Sequence, residues 1–126
     1  MNTYVLLLSA MLLGPTLATG RHRTAPSCPQ SGLRIPPPGM DEQRPGPRSE
    51  FPRPPRAPSS LRGVKAIVRV LVDSTGRAVS DSTLACGVSD PEYVAELARS
   101  VNALDYVPGS IGKRIKAAYA YFVFNL

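Results

Sequence analysis

The sequence predicts an α+β protein with a two-layer β-β-α-β domain, in which one helix covers a three-stranded antiparallel sheet. Two stretches with alternating apolar residues, 64–72 and 116–126, predict long strands of this sheet. Between them, residues 90–104 carry apolar side chains at helical spacing, which predicts the helix. A disordered segment rich in proline and arginine precedes the domain. The predicted organisation is a signal peptide at 1–19, a linker at 20–62 and the folded domain at 63–126.

The amino terminus predicts export. Residues 4–13 form an apolar run, which Gly14 and Pro15 interrupt and small residues follow. A membrane-spanning helix needs about 20 apolar residues, so this run is too short to span a bilayer. It is typical of a secretory signal peptide that is cleaved after Ala18 or near Gly20. The alternative is that the run stays uncleaved as a weak anchor.

Residues 20–62 predict an extended and basic spacer. They hold eleven of the 14 prolines, and proline fixes φ and removes a backbone donor. They also hold eight arginines against three acidic residues, which is most of the formal net charge of +6. Such a spacer is attracted to anionic surfaces such as membranes, peptidoglycan or lipopolysaccharide. The folded half has no basic stripe, so we expect no nucleic-acid binding.

Cys28 and Cys86 are the two cysteines of the chain. An even number of cysteines in an exported protein favours a disulfide. A bond between them would close a loop of about 57 residues and contribute roughly 4 kcal/mol. The alternatives are one buried and one exposed thiol, or an intermolecular bridge.

The first two strands are expected to form a hairpin. In the first strand one face consists of apolar residues, and Gly76 can take the positive φ of a tight turn. The second strand should contain Arg77, Val79 and Leu84. The residues expected on the core face of the first strand are Val64, Ala66, Val68, Val70 and Val72.

The helix should begin after Asp90, which is a good N-cap, with Pro91 in the first helical position. It should end by Leu104 or Asp105. A turn at 106–109 and a loop at 109–112 are expected to follow, with a solvated basic cluster of Lys113, Arg114 and Lys116. The apolar stripe of the helix comprises Val94, Leu97, Ala98, Val101 and Leu104.

The last strand should present two different faces. Ala118, Ala120, Phe122, Phe124 and Leu126 fall on the face that packs under the helix. The opposite face is aromatic, which is typical either of a docking surface or of cross-strand packing against Ile67 and Leu71. Its predicted partner-binding residues are Ala117, Tyr119, Tyr121, Val123 and Asn125.

No catalytic constellation is visible in the sequence. The single histidine, His22, lies beside the predicted cleavage site, and the acidic residues Asp73, Asp81 and Asp90 occupy turn or cap positions. Zinc-ligand spacing and phosphate-binding loops are absent. We therefore expect a protein that is not an enzyme and that uses neither a metal nor a cofactor.

The ordered set of motifs in residues 63–126 resembles the TonB carboxy-terminal domain. The stretch GVKAIVRVLVDSTGRAV matches the first strand, turn and second strand of that family, and Ala85-Cys86-Gly87 stands at its Ser-Ser-Gly. The helix, the segment Tyr106-Val107-Pro108-Gly109, Lys113 and the closing AYFVFNL follow in family order. The resemblance implies a periplasmic domain whose last strand pairs with an extended segment of a partner.

The leading hypothesis is therefore a periplasmic protein-binding module of the Gram-negative envelope, linked to TonB-dependent outer-membrane transport. The chain lacks the spanning helix of anchored members and contains no Trp, so direct coupling to the motor is not expected. The expected partner is a protein or peptide such as an outer-membrane receptor, and a homodimer is a further option. The alternative is an envelope-structural protein whose basic tether binds anionic cell-envelope polymers.

Overall fold

The computed structural model describes residues 27–126. The predicted signal peptide, its cleavage site and His22 lie outside these residues. Two short 3-10 helices, Ser59–Leu61 and Ser80–Ser82, accompany the main elements. The main elements of the described chain are β1 (Glu42–Gln43), β2 (Gly46–Pro47), β3 (Lys65–Val72), β4 (Leu84–Cys86), α1 (Pro91–Asn102), β5 (Tyr106–Val107), β6 (Gly109–Ile111), β7 (Arg114–Lys116) and β8 (Ala118–Asn125).

One helix and antiparallel sheets confirm the predicted α+β class. The largest sheet has the order β4-β3-β8, with β3 in the centre. The ladder between β3 and β8 runs from Lys65 opposite Asn125 to Val72 opposite Ala118. Because eight residues of each strand take part, this ladder is the most extensive pairing in the described chain.

The core lies between this sheet and α1. The alternation predicted for β3 is confirmed, because Ala66, Val68, Val70 and Val72 are fully buried. In β8, Ala120, Phe122 and Phe124 are buried on the same side of the sheet. From α1 the core receives Tyr93, Leu97 and Val101, whereas Val94 is only half-buried.

The start of the predicted helix and the turn of the predicted hairpin have the expected local chemistry. The Asp90 side chain accepts hydrogen bonds from the backbone N–H groups of Glu92 and Tyr93. In the hairpin turn, Gly76 has φ 89° and its carbonyl accepts from the Tyr106 N–H at 3.0 Å. The Thr75 hydroxyl and the Arg77 N–H both donate to Asp73, and these bonds lower the pKa of its carboxyl.

The second strand is shorter than predicted. After an isolated bridge between Val72 and Ala78, the 3-10 helix Ser80–Ser82 interrupts the pairing, and β4 begins only at Leu84. The polar run Ser80-Asp81-Ser82 offers no alternating apolar face to hold against the core. Hydroxyl and carboxylate side chains instead favour local turns.

The prediction of a turn and loop over residues 106–112 is wrong. Tyr106–Val107 and Gly109–Ile111 are strands that pair with β2 and β1. The two pairings share one register, because Glu42 lies opposite Ile111 and Gly46 lies opposite Val107. Lys116 belongs to β7, which pairs with β6, so the last strand begins at Ala118 and not at residue 116.

Residues 27–62 differ from the expected free tether, and we call them the arm. The arm is joined to β4 by a disulfide between Cys28 and Cys86, whose Cα atoms are 5.7 Å apart. Its two strands extend the β5 and β6 region, and Leu61 is buried in the core. The domain boundary at Gly63 stays a prediction, but the domain core includes a residue that precedes it.

Two sets of contacts hold residues 51–55 of the arm on the helix side of the sheet. The Phe51 ring lies 5.3 Å from the Phe122 ring in an edge-on arrangement and 6.1 Å from the Phe124 ring. The Tyr93 hydroxyl donates to the Pro55 carbonyl at 2.5 Å. Tyr93 was missed as a core residue because the sequence does not show that an arm carbonyl accepts from its hydroxyl.

We predict that Gly76→Ala destabilises the fold by about 2 kcal/mol or more, because it combines backbone strain with a collision. A Cβ at position 76 would lie 2.3 Å from the Tyr106 carbonyl oxygen. Gly63 is the matched control, since it has φ 84° but no atom within 4 Å of its added Cβ. Chemical denaturation should show a clearly smaller loss for Gly63→Ala, and equal losses would contradict the close contact.

We predict that Phe51→Ala lowers the free energy of unfolding by about 1 kcal/mol, since ring pairs contribute this much beyond area burial. The matched control is Arg53→Ala, which changes an exposed arm residue two positions away. Thermal unfolding of both variants provides the measurement. A docked arm requires a loss for Phe51→Ala alone, whereas a free tether would leave both variants at the wild-type stability.

Candidate docking edge

The candidate site is the edge of β8 that faces away from β3. In the main sheet β8 pairs with β3 only, and no other strand of the described residues pairs with its opposite edge. The predicted site residues Tyr119, Tyr121, Val123 and Asn125 all lie in β8. Ala117 lies in the break between β7 and β8, so the structure places it beside the strand.

The direction of the backbone groups on β3 follows from hydrogen bonds on both sides of that strand. The Val79 N–H donates to the Leu71 carbonyl at 2.8 Å, so the backbone N–H and C=O groups of this odd-numbered residue of β3 point toward the β4 side. The Leu126 N–H donates to the Val64 carbonyl at 2.9 Å, so the backbone carbonyl of this even-numbered residue points toward β8. The side to which the backbone groups point alternates from residue to residue along an antiparallel strand. Even-numbered residues of β3 therefore bond to β8.

The register transfers this alternation to β8. Even-numbered residues face even-numbered residues, as in the pairs Val68 with Phe122 and Ala66 with Phe124. These residues of β8 use their N–H and C=O groups in the ladder with β3. The odd-numbered residues of β8 consequently direct their N–H and C=O groups outward. We call this outward row, Tyr119, Tyr121, Val123 and Asn125, the rim.

Side chains of the rim lie on the face of the sheet opposite α1. Tyr119 and Val123 are 39% and 38% exposed, and each also stands directly across from an apolar residue of β3. Leu71 pairs with Tyr119, and Ile67 pairs with Val123. The cross-strand packing is therefore observed, and the docking surface stays a prediction, for which these two side chains keep more than a third of their surface exposed.

Two arginines stack on the tyrosines of the rim. The Arg69 guanidinium, from β3, lies 4.5 Å from the centroid of the Tyr119 ring. The Arg44 guanidinium, from the arm, lies 5.1 Å from the centroid of the Tyr121 ring. Cations are attracted to the electron-rich faces of aromatic rings. Sequence reasoning missed both arginines, since each stacks on a residue distant in the chain.

The two arginines differ in their own partners. Arg44 donates to the Pro36 carbonyl, and its Nε lies 3.9 Å from an oxygen of Glu42. Arg69 has a buried Nε without a hydrogen-bond partner, and no carboxylate within residues 27–126 pairs with it. An unsatisfied buried donor costs free energy. The positive charge over Tyr119 is therefore not neutralised by the described part of the chain.

The two ends of the rim open into clefts. A cleft of 360 Å³ lies between arm residues 54–59 and the end of β8 at Asn125 and Leu126. At the other end, Glu42 and Lys116 line a cleft of 230 Å³ together with Ala117 and Tyr119. The free edge thus continues into recesses that can receive chain extending beyond either end of a paired segment.

Two tyrosines of the described chain have raised pKa values because they are buried in the fold. Burial raises the pKa of Tyr106, whose hydroxyl donates to the Val101 carbonyl at 2.5 Å. Burial and, to a smaller extent, the charge of Glu96 raise the pKa of Tyr93.

No group of three His, Cys, Asp or Glu side chains among the described residues could hold a metal ion. Over the same residues, no helix is long and apolar enough to cross a membrane.

Comparison of the chain with protein-family models, with curated proteins and with solved structures finds no match. The resemblance to the TonB carboxy-terminal domain therefore stays a prediction that depends on the motifs quoted above.

Proposed function

We propose that the protein is a periplasmic TonB-like module that binds an extended segment of a partner protein by strand addition to the rim. In strand addition, backbone hydrogen bonds supply affinity and alternate side chains supply specificity. The partner is a protein or peptide of the outer-membrane receptor type, and the role is linked to TonB-dependent transport.

The observation that carries this proposal is the outward direction of the rim's backbone groups. Four consecutive odd-numbered residues of β8 present N–H and C=O groups that β3 does not use. Proteins commonly block such an edge with prolines, bulges or a covering segment. Here β8 contains no proline, and the proline-rich part of the arm contacts the Phe122 and Phe124 rings from the helix side.

The order of elements supports the family part of the proposal. Strands β3 and β4, helix α1 and strand β8 follow one another, and the sheet order β4-β3-β8 places the last strand at an edge. We propose that these four elements form the β-β-α-β domain that the resemblance implies. The arm would then be an addition around it, and β5, β6 and β7 would form the segment that connects the helix to the last strand.

The disulfide supports the proposed location. Disulfides persist in oxidising compartments such as the periplasm and are rare in reducing ones. The bond between Cys28 and Cys86 joins the start of the arm to a buried residue of β4. A chain in which a disulfide joins the arm to the sheet is suited to an exported protein.

The proposal predicts that Val123→Pro abolishes partner binding and leaves the fold intact. Proline removes the outward N–H at this position, and an edge strand tolerates proline where the N–H faces solvent. The matched control is Val123→Thr, which keeps the N–H and the β-branched shape. Binding of receptor-plug and TonB-box peptides is measured by backbone NMR shifts of residues 119–125, with circular dichroism as the check on folding.

Wild-type protein and Val123→Thr should show peptide-dependent shifts along the rim, and Val123→Pro should show none. If the wild-type shifts of residues 119–125 ignore every such peptide, the proposed function is wrong. Equal binding by Val123→Pro and Val123→Thr would also reject strand addition, because it would show that the rim N–H groups are not used.

A further inference from the structure

We infer that the segment recognised by the rim is an acidic strand, in which acidic residues alternate with apolar residues. This inference rests on the proposed function, because it specifies the partner of the same edge. It follows from the different chemistry of the two faces that border the rim.

The face opposite α1 carries two guanidinium groups above β8, and of the two only Arg44 has a carboxylate, that of Glu42, nearby within residues 27–126. The guanidinium groups of Arg69 and Arg44 stack on the rings of Tyr119 and Tyr121, which are two residues apart in one strand. An added strand would lie about 4.8 Å from β8, so its long side chains on this face would extend toward the Tyr119 and Tyr121 rings and the guanidinium groups that lie over them. Arg69 has no carboxylate partner within the described residues. An acidic side chain on the added strand would supply one.

The face on the α1 side is apolar along the same edge. The Phe51 ring packs against Phe122 and Phe124 and is itself 58% exposed. A side chain of the added strand that points to this side would lie against an aromatic ring and not against water. Burial of apolar surface favours a branched or aromatic residue at this position.

The geometry of a strand combines these two requirements into one pattern. Successive side chains of a strand point to opposite faces, and residues i and i+2 share a face. Acidic residues at i and i+2, opposite Tyr119 and Tyr121, would meet the two arginines. The neighbouring residue opposite Phe122 would point to the other face, toward Phe51. A partner with this alternation satisfies both faces, whereas the same residues arranged in blocks cannot.

Charge also argues against a second copy of this chain as the occupant. Strand β8 contains no acidic residue, so a second copy of β8 would bring no carboxylate to Arg69 or Arg44. Like charges brought together at an interface disfavour that pairing. The rim is therefore better suited to an acidic partner than to itself.

The test measures binding of four labelled peptides to the full chain by fluorescence anisotropy. In the first peptide Glu alternates with Val, in the second Thr alternates with Val, and in the third Lys alternates with Val. The fourth, the block peptide, has four Glu followed by four Val. We expect the Glu-Val peptide to bind about tenfold more tightly than the Thr-Val peptide at low salt, and this preference to fall as salt screens the charges. The Lys-Val and block peptides should bind more weakly than both.

The variants Arg44→Gln and Arg69→Gln should each reduce the preference for Glu-Val about threefold, and together they should remove it. Arg53→Gln is the matched control, because it removes an exposed arm charge that is not on the rim. Arg44→Gln alone suffices if Arg69→Gln does not fold, since Arg44 belongs to the arm. The inference is overturned if Glu-Val binds no better than Thr-Val, if Lys-Val or the block peptide binds equally well, or if Arg53→Gln has the same effect.

Failure of this inference can be told apart from failure of the proposed function. If the Thr-Val peptide shifts the NMR signals of residues 119–125 and Val123→Pro abolishes its binding, strand addition holds whatever the charge preference. If the Glu-Val peptide binds without shifting these signals, it binds elsewhere, and both the acidic-partner inference and its use of the rim are rejected.

Discussion

The ladder between β3 and β8 is the constraint on which the rest of the structure depends. Because β3 is buried on its helix-facing side and paired along both edges, β8 can join the sheet at one edge only. The burial of Phe122 and Phe124 then fixes which face of β8 points to the core. A shift of one residue would move both rings into solvent, so the register is strongly specified. The rim is the direct consequence of that register, since it consists of the backbone groups that neither the core nor β3 uses.

The arm completes the domain without closing this edge. It begins at the disulfide beside β4, supplies Arg44 on the open face, pairs with β5 and β6, and returns with Phe51 on the helix side. Its prolines, which lack backbone donors, are poorly suited to pair with β8 themselves. The arm therefore places Arg44 and Phe51 on the two faces beside the rim, and no strand of residues 27–126 pairs with the outward N–H and C=O groups of the rim. In this way a segment outside the predicted domain contributes to the candidate site.

Local periodicity explains what could be predicted from the sequence. The alternation in β3 and β8 and the spacing of Leu97 and Val101 in α1 each lie within a single stretch, so the main elements and their buried faces could be assigned. The same alternation identified the side chains of the rim. Strands β1, β2, β5 and β6 have only two or three residues, and the residues paired between the arm and these strands are 59 to 69 positions apart, so no local pattern predicts them. Arg44 and Arg69 were missed for the same reason, because stacking on a tyrosine depends on register and on the path of the arm.

The central claim is that β8 carries one paired and one unpaired edge, and amide hydrogen exchange of the free protein tests it most directly. N–H groups in the ladder with β3 should exchange slowly, and those on the outer edge should exchange quickly. The account predicts alternating protection along β8, with slow exchange at Ala120, Phe122 and Phe124 and fast exchange at Tyr119, Tyr121 and Val123. Uniform protection of all six amides would show that another segment already covers the outer edge, and it would contradict the account.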